Sequence, residues 1–94
     1  MYMLKISGYI QPEKSREFVQ SFREMMINPP PFCREPGLYA DLLNPALHHF
    51  YSLFPDRESL DDFRQSQDYK TLIGAFKVLG FIKNEYAGKL IFLK

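Results

Sequence analysis

His48 and His49 stand side by side in an apolar run, Leu47-His48-His49-Phe50-Tyr51, and are the only imidazoles of the chain. Neighbouring residues of a strand point to opposite faces, so the two rings cannot share one metal ion or relay one proton. At most one of them faces a given pocket. An imidazole titrates near neutral pH and can take the proton of a phenol or a carbon acid, the first step of a cofactor-free oxidation. The plainer role is a histidine satisfied by a cross-strand neighbour or held at an interface. Tyr39, Tyr51 and Tyr69 bring hydroxyls that can orient a bound aromatic, although tyrosines at strand and helix spacing also serve as core. Asp61 and Asp62 point about 100° apart on a helix and read as a solvated face, not a metal pair. Cys33, the single cysteine, excludes an intrachain disulfide and a CxxC redox pair. It reads as a small loop residue, with a reactive thiol next to Arg34 as the sharper alternative. The sequence has no GxGxxG, GxxxxGK, GxSxG or HExxH, so no flavin, nucleotide or metal cofactor is expected.

The elements that position these residues follow a βαββααβ order. Tyr2 to Ile10 has strand character, with Tyr2, Leu4, Ile6 and Ile10 on one side. Pro12 opens a helix whose stripe is Phe18, Val19, Phe22, Met25 and Met26, and Asn28 with Pro29, Pro30 and Pro31 stops it. The proline run reads as a stiff connection. A strand is expected after Pro36-Gly37, from Leu38 to Leu43, and a second from Ala46 to Phe54, joined as a hairpin at Asn44-Pro45.

Leu60, Phe63, Ser66, Tyr69 and Leu72 then form a ladder three residues apart. In one straight helix each step of three slips back by about 60°, so five rungs would smear around the cylinder. The ladder therefore implies a break at Ser66. Asp56 is placed to cap a short helix, and Ser66 to cap a second that begins near Gln67. Tyr69, Leu72, Ile73, Phe76 and Leu79 form the stripe of that second helix, with Gly74 opposite. Gly80 suits a left-handed helix end. Lys83 to Leu93 is the last expected strand, with Gly88 marking a bulge or a weak point.

Ninety-four residues with 46% hydrophobic and 16% aromatic content fit a single domain over 1–94 with a full core. The net charge of +1 and the lack of a cluster of like charges argue against nucleic acid as a partner. No segment has the ~20 apolar residues of a membrane span, and no leader precedes the first strand, so the expected location is the cytoplasm. Both faces of the first and last strands read as apolar. Met1, Met3 and Tyr9 oppose Leu4, Ile6 and Ile10, while Leu90 and Phe92 oppose Ile91 and Leu93. Helices from so short a chain cover one sheet face, so the other predicts a second copy packed sheet to sheet.

Arg34-Glu35-Pro36-Gly37-Leu38-Tyr39, a strand ending at Phe54, and then Asp56, Leu60, Phe63, Ser66, Tyr69 and Leu72 together resemble the antibiotic biosynthesis monooxygenase domain. The resemblance spans nearly the whole chain. It implies an α+β, ferredoxin-like subunit with an antiparallel sheet that pairs into a dimeric α/β barrel. It also implies cofactor-independent oxygenation of a small aromatic, quinol or enol in a pocket between sheet and helices. The candidate pocket residues are Ile6, Phe63 and Ile73, matched by spacing to family positions, and Tyr39, Tyr51 and Tyr69, chosen for their hydroxyls, with His49 or His48 as the candidate base. The departures cut the other way. Phe54 stands where many relatives have tryptophan, and Phe63 where they have histidine. The positions that serve the haem-degrading branch hold Ile6, Phe63 and Ile73, which offer neither an iron ligand nor a side-chain hydrogen bond. A dimeric small-molecule-binding or structural module without catalysis is thus the second reading.

Overall fold

A computed structural model describes residues 1–92. The chain forms β1 (Tyr2–Ile10), a 3-10 turn (Pro12–Lys14), α1 (Ser15–Met25), β2 (Arg34–Ala40), β3 (Leu47–Phe54), α2 (Arg57–Arg64), α3 (Gln67–Leu79) and β4 (Gly80–Lys89). The strands lie in the order β2-β3-β1-β4, each antiparallel to its neighbours, and the helices sit on one face. This is the ferredoxin-like α+β arrangement that the resemblance implies.

The break in the ladder is real. The Asp56 carboxylate accepts from the Ser59 amide at 2.7 Å, and the Ser66 hydroxyl accepts from the Tyr69 amide at 3.2 Å. Each cap satisfies one of the amides that a helix start leaves free. The turn between the caps lets Leu60 and Phe63 from α2, and Leu72, Phe76 and Leu79 from α3, all reach one core. They meet Leu4, Ile6 and Ile10 of β1, Phe50 and Phe54 of β3, and Phe18 of α1. Only Phe18 of the first helical stripe is fully buried; Phe22, Met25 and Met26 rest against the core edge.

Several boundaries differ from the sequence expectation. Helix α1 ends at Met25, ahead of the prolines, with the Met26 amide bonded to the Phe22 carbonyl. Strand β2 starts at Arg34 and ends at Ala40, so it runs through Pro36, while Leu42 and Leu43 lie exposed in the following turn. A proline fits there because β2 is an edge strand and its missing N–H breaks no ladder. Glu35 and Pro36 together oppose Ser52, a bulge in which Glu35 takes a left-handed φ of 50°.

Strand β4 begins at Gly80, directly after α3, and ends at Lys89. Gly80 is extended, with φ −176°, and not left-handed; a side chain there would run into the Tyr9 carbonyl. The register of β4 slips at Lys83, between the pairs Gly8 with Ile82 and Ser7 with Asn84, so the bulge is at Lys83 and not Gly88. Leu90, Ile91 and Phe92 follow the strand, and Leu93 lies outside the described residues.

Candidate functional site

Strand parity separates the two histidines. Phe50, Ser52 and Phe54 point into the helical core, and His48 shares their parity. Its ring meets Phe18 edge-on at 5.6 Å between centroids and is 4% exposed. Nδ1 donates to the Ala46 carbonyl at 3.0 Å, and Nε2 lies 3.4 Å from the Ser15 hydroxyl. Both nitrogens are therefore occupied inside the fold, and His48 has the geometry of a core histidine.

His49 faces the other way, onto the sheet surface free of helices. Its Nδ1 lies 2.7 Å from the Ser7 hydroxyl and its Nε2 lies 3.3 Å from the Asp41 carboxylate. A carboxylate can only accept, so Nε2 carries the proton and Nδ1 accepts from Ser7. The carboxylate of Asp41 also caps the hairpin turn, accepting from the Leu43 and Asn44 amides at 3.0 Å each. The hydrogen bond from His49, and then that from Asn44, hold the Asp41 carboxyl below its ordinary range. Asp41 stays ionised and orients the ring, while Ser7 sits opposite His49 in the β1–β3 register.

The cross-strand register lays out the rest of this face in two rows. One reads Tyr39, His49, Ser7, Asn84; the next reads Gly37, Tyr51, Lys5, Tyr86. Two contiguous open depressions lie over these rows. One, of about 400 Å³, is lined by Met3, Lys5, Tyr39, His49 and Tyr51. The other, of about 460 Å³, shares Met3, Lys5 and His49 and adds Ser7, Leu47, Lys83, Asn84 and Tyr86. The face is aromatic with a polar row across it, so the wholly apolar second surface expected from the sequence is only half present.

The six side chains matched to the expected pocket do not line one space. Tyr39 and Tyr51 are on the open face with His49. Ile6 and Phe63 are buried on the helical side, at 0% and 2% exposure. Phe63 stacks on Phe50 at 6.1 Å and touches Phe54 at 5.5 Å and Tyr69 at 5.9 Å. Ile73 lies against the same core. Tyr69 is tied down by Glu85, whose carboxylate accepts from its hydroxyl at 2.8 Å and from Arg64 Nε at 3.1 Å. Burial, and then the Glu85 hydrogen bond and charge, push the Tyr69 phenol up. Where α1 meets α3 the space left is about 10 Å³, no more than one water molecule needs. The centre of the helical side is thus packed, and an open depression of about 220 Å³ lies at its edge, where α2 meets β1 and β4.

Ser7, Asp41, Lys5, Lys83 and Asn84 are members of the open-face cluster that sequence reasoning missed. The usable signal was parity: if Phe50 and Phe54 face the core, His49 and Tyr51 cannot. Burial pushes the Cys33 thiol up, which favours the inert reading of that residue. Among the described residues no three His, Cys, Asp or Glu side chains come together as a metal ligand set, and no helix is long and apolar enough to cross a membrane.

No known family profile matches the chain, and no curated protein does. Solved structures do match its fold. An antibiotic biosynthesis monooxygenase is 18% identical over all of both chains, with a TM-score of 0.74. A candidate antibiotic biosynthesis monooxygenase from Deinococcus radiodurans is 14% identical, over 100% of this chain and 99% of the other, with a TM-score of 0.78. A conserved protein from Methanosarcina mazei Go1 is 20% identical, over 93% and 87% of the two chains, with a TM-score of 0.76. The chain has the fold of the antibiotic biosynthesis monooxygenases.

Proposed function

We propose that this chain is a cofactor-independent monooxygenase of a small electron-rich aromatic, quinol or enol, and that its chemistry lies on the helix-free face of the sheet. The observation that carries the reading is His49, fixed at both nitrogens beside an aromatic-walled depression of about 400 Å³. A substrate hydroxyl gives its proton to Ser7 Oγ as the Ser7 proton moves to His49 Nδ1, and Asp41 holds the resulting imidazolium. The substrate anion passes one electron to dioxygen, and the radical and superoxide combine in a new C–O bond. The peroxide takes the proton back and loses water, leaving a carbonyl; a phenol and dioxygen thus give a quinone and water. Tyr39 and Tyr51 supply the ring-binding walls.

One observation favours the second reading, a binding module without turnover: Phe50, Phe54 and Phe63 fill the centre of the space between sheet and helices. Oxygen uptake with a panel of quinols and phenols separates the two. The oxygenase reading predicts uptake above the buffer control, a fall of about 10²-fold or more in His49→Ala, and a retained rate in His48→Gln. Uptake equal to buffer throughout leaves the module, and uptake above buffer that His49→Ala does not change refutes His49 as the base.

The working form in this reading is a cytoplasmic homodimer packed sheet to sheet, which closes the depressions between two copies and excludes water from them. Half-buried Met3 and Tyr9 and exposed Tyr39, Phe81 and Tyr86 on the face without helices support it. Light scattering at micromolar concentration tests it: a mass twice the chain's 11.1 kDa is expected, and a monomer alone refutes it.

A further inference from the structure

The Lys83 bulge has a chemical consequence. By strict alternation from Ile82, which pairs with Gly8 on the core side, a regular strand would place Lys83 outward and Asn84 inward. The bulge puts both on the open face instead. Asn84 lies opposite Ser7, and Lys83 Nζ lies 5.9 Å from the centre of the Tyr9 ring. Both line the 460 Å³ depression with Lys5, Ser7 and His49. Two lysines thus line one depression, together with Tyr86 and His49. Among the described residues neither Lys5 nor Lys83 has a carboxylate within 4.0 Å. Asp41, beside His49, is engaged by that ring and by the turn amides.

We infer that this depression takes a planar aromatic anion, a ring bearing a carboxylate, and discriminates against neutral rings of the same shape. The ring lies against Tyr86 and Met3, the carboxylate meets the two ammoniums, and Asn84 and Ser7 offer neutral hydrogen bonds. A compact ammonium binds such a group as a point charge, so the preference is electrostatic and salt-sensitive. Sheet-to-sheet pairing strengthens the requirement, because two lysines per copy enclosed away from water need a counter-charge. The inference rests on the site proposed above and names its substrate class.

Titration calorimetry with 4-hydroxybenzoate and its neutral isostere 4-hydroxybenzamide, in oxygen-free buffer, tests it apart from turnover. The carboxylate is expected to bind about tenfold or more tighter at low salt, with the preference shrinking toward unity in about 0.5 M salt. Lys5→Met with Lys83→Met together are expected to abolish the preference while amide binding persists, and Lys83→Glu alone to reverse or erase it. Equal affinity for the two ligands in the unaltered protein, or a preference that survives the double substitution, overturns the inference. Absence of oxygen uptake with the preference intact would remove the oxygenase reading and leave this one standing.

Discussion

Phe63→Ala separates a core residue from a pocket wall. The Phe63 ring is 2% exposed and has three aromatic neighbours with centroids at 5.5 to 6.1 Å. Removing a fully enclosed phenyl group loses its transfer free energy and leaves a cavity that rigid neighbours close only in part, a cost of about 3–5 kcal/mol. The three rings around it are themselves anchored: Phe50 and Phe54 by the β1–β3 ladder, Tyr69 by Glu85. Little collapse is available, so the expected loss is near the middle of that range, ~4 kcal/mol. A 94-residue domain has a total stability of about 5–14 kcal/mol, so the variant keeps between about a fifth and about 70% of it. Urea unfolding followed by far-ultraviolet circular dichroism reads the change directly. With a slope of ~1–1.5 kcal/mol per M for a chain of this size, the midpoint should fall by about 3 M. If Phe63 instead lined a solvent-filled pocket, one side of its ring would already be wet and the loss would be ~1 kcal/mol. A loss below ~2 kcal/mol would refute the packed helical side.

Three further outcomes follow from local geometry. Asp56→Ala and Ser66→Ala each remove the acceptor at a helix start and should cost about 1 kcal/mol by the same unfolding assay; no loss in Ser66→Ala would mean that the ladder is not broken at that cap. Glu35→Gly relieves a left-handed φ of 50° and should raise stability by ~1 kcal/mol, whereas an unchanged or lower midpoint would show that the bulge is unstrained. The Tyr69 phenol is held up by burial and by Glu85, so its contribution to stability is fully present below the free phenol's pKa, about 10, and is lost as pH rises through the folded value. Glu85→Gln should lower the Tyr69 titration in ring-carbon NMR, with an unmoved curve excluding the Glu85 contact.

The parts of the fold that the sequence revealed are those governed by local chemistry. Strand β1 runs from Tyr2 to Ile10 as its alternation indicates, and the Asp56 and Ser66 caps stand where side-chain oxygens precede apolar stripes. The parts that were hidden depend on a neighbouring strand. Pro36 reads as a strand breaker until β2 is known to lie at the sheet edge. Gly80 reads as a helix end because the Tyr9 carbonyl that forbids a side chain there comes from β1, some 70 residues away.

The candidate site divides in the same way. His49 was visible as one of two bases, and the parity of Phe50 and Phe54 was enough to choose between them. Ser7 is 42 residues from His49 in sequence and meets it only through strand register. Asp41 reaches the ring because the hairpin turn folds back over it. Tyr39 and Tyr51, chosen for their hydroxyls, were grouped with Ile6, Phe63, Tyr69 and Ile73 as one pocket, yet the sheet itself stands between the two sets.

The central claim is that a small aromatic binds on the open face and not between sheet and helices. Methyl-resolved carbon NMR during titration with 4-hydroxybenzoate reads both sides at once. The Met3 methyl, on the floor of both depressions, should shift with ligand, together with the ring signals of His49 and Tyr51, while the Ile6, Leu72 and Ile73 methyls stay in place. Shifts confined to Ile6, Leu72 and Ile73, with Met3 and His49 unmoved, would contradict it.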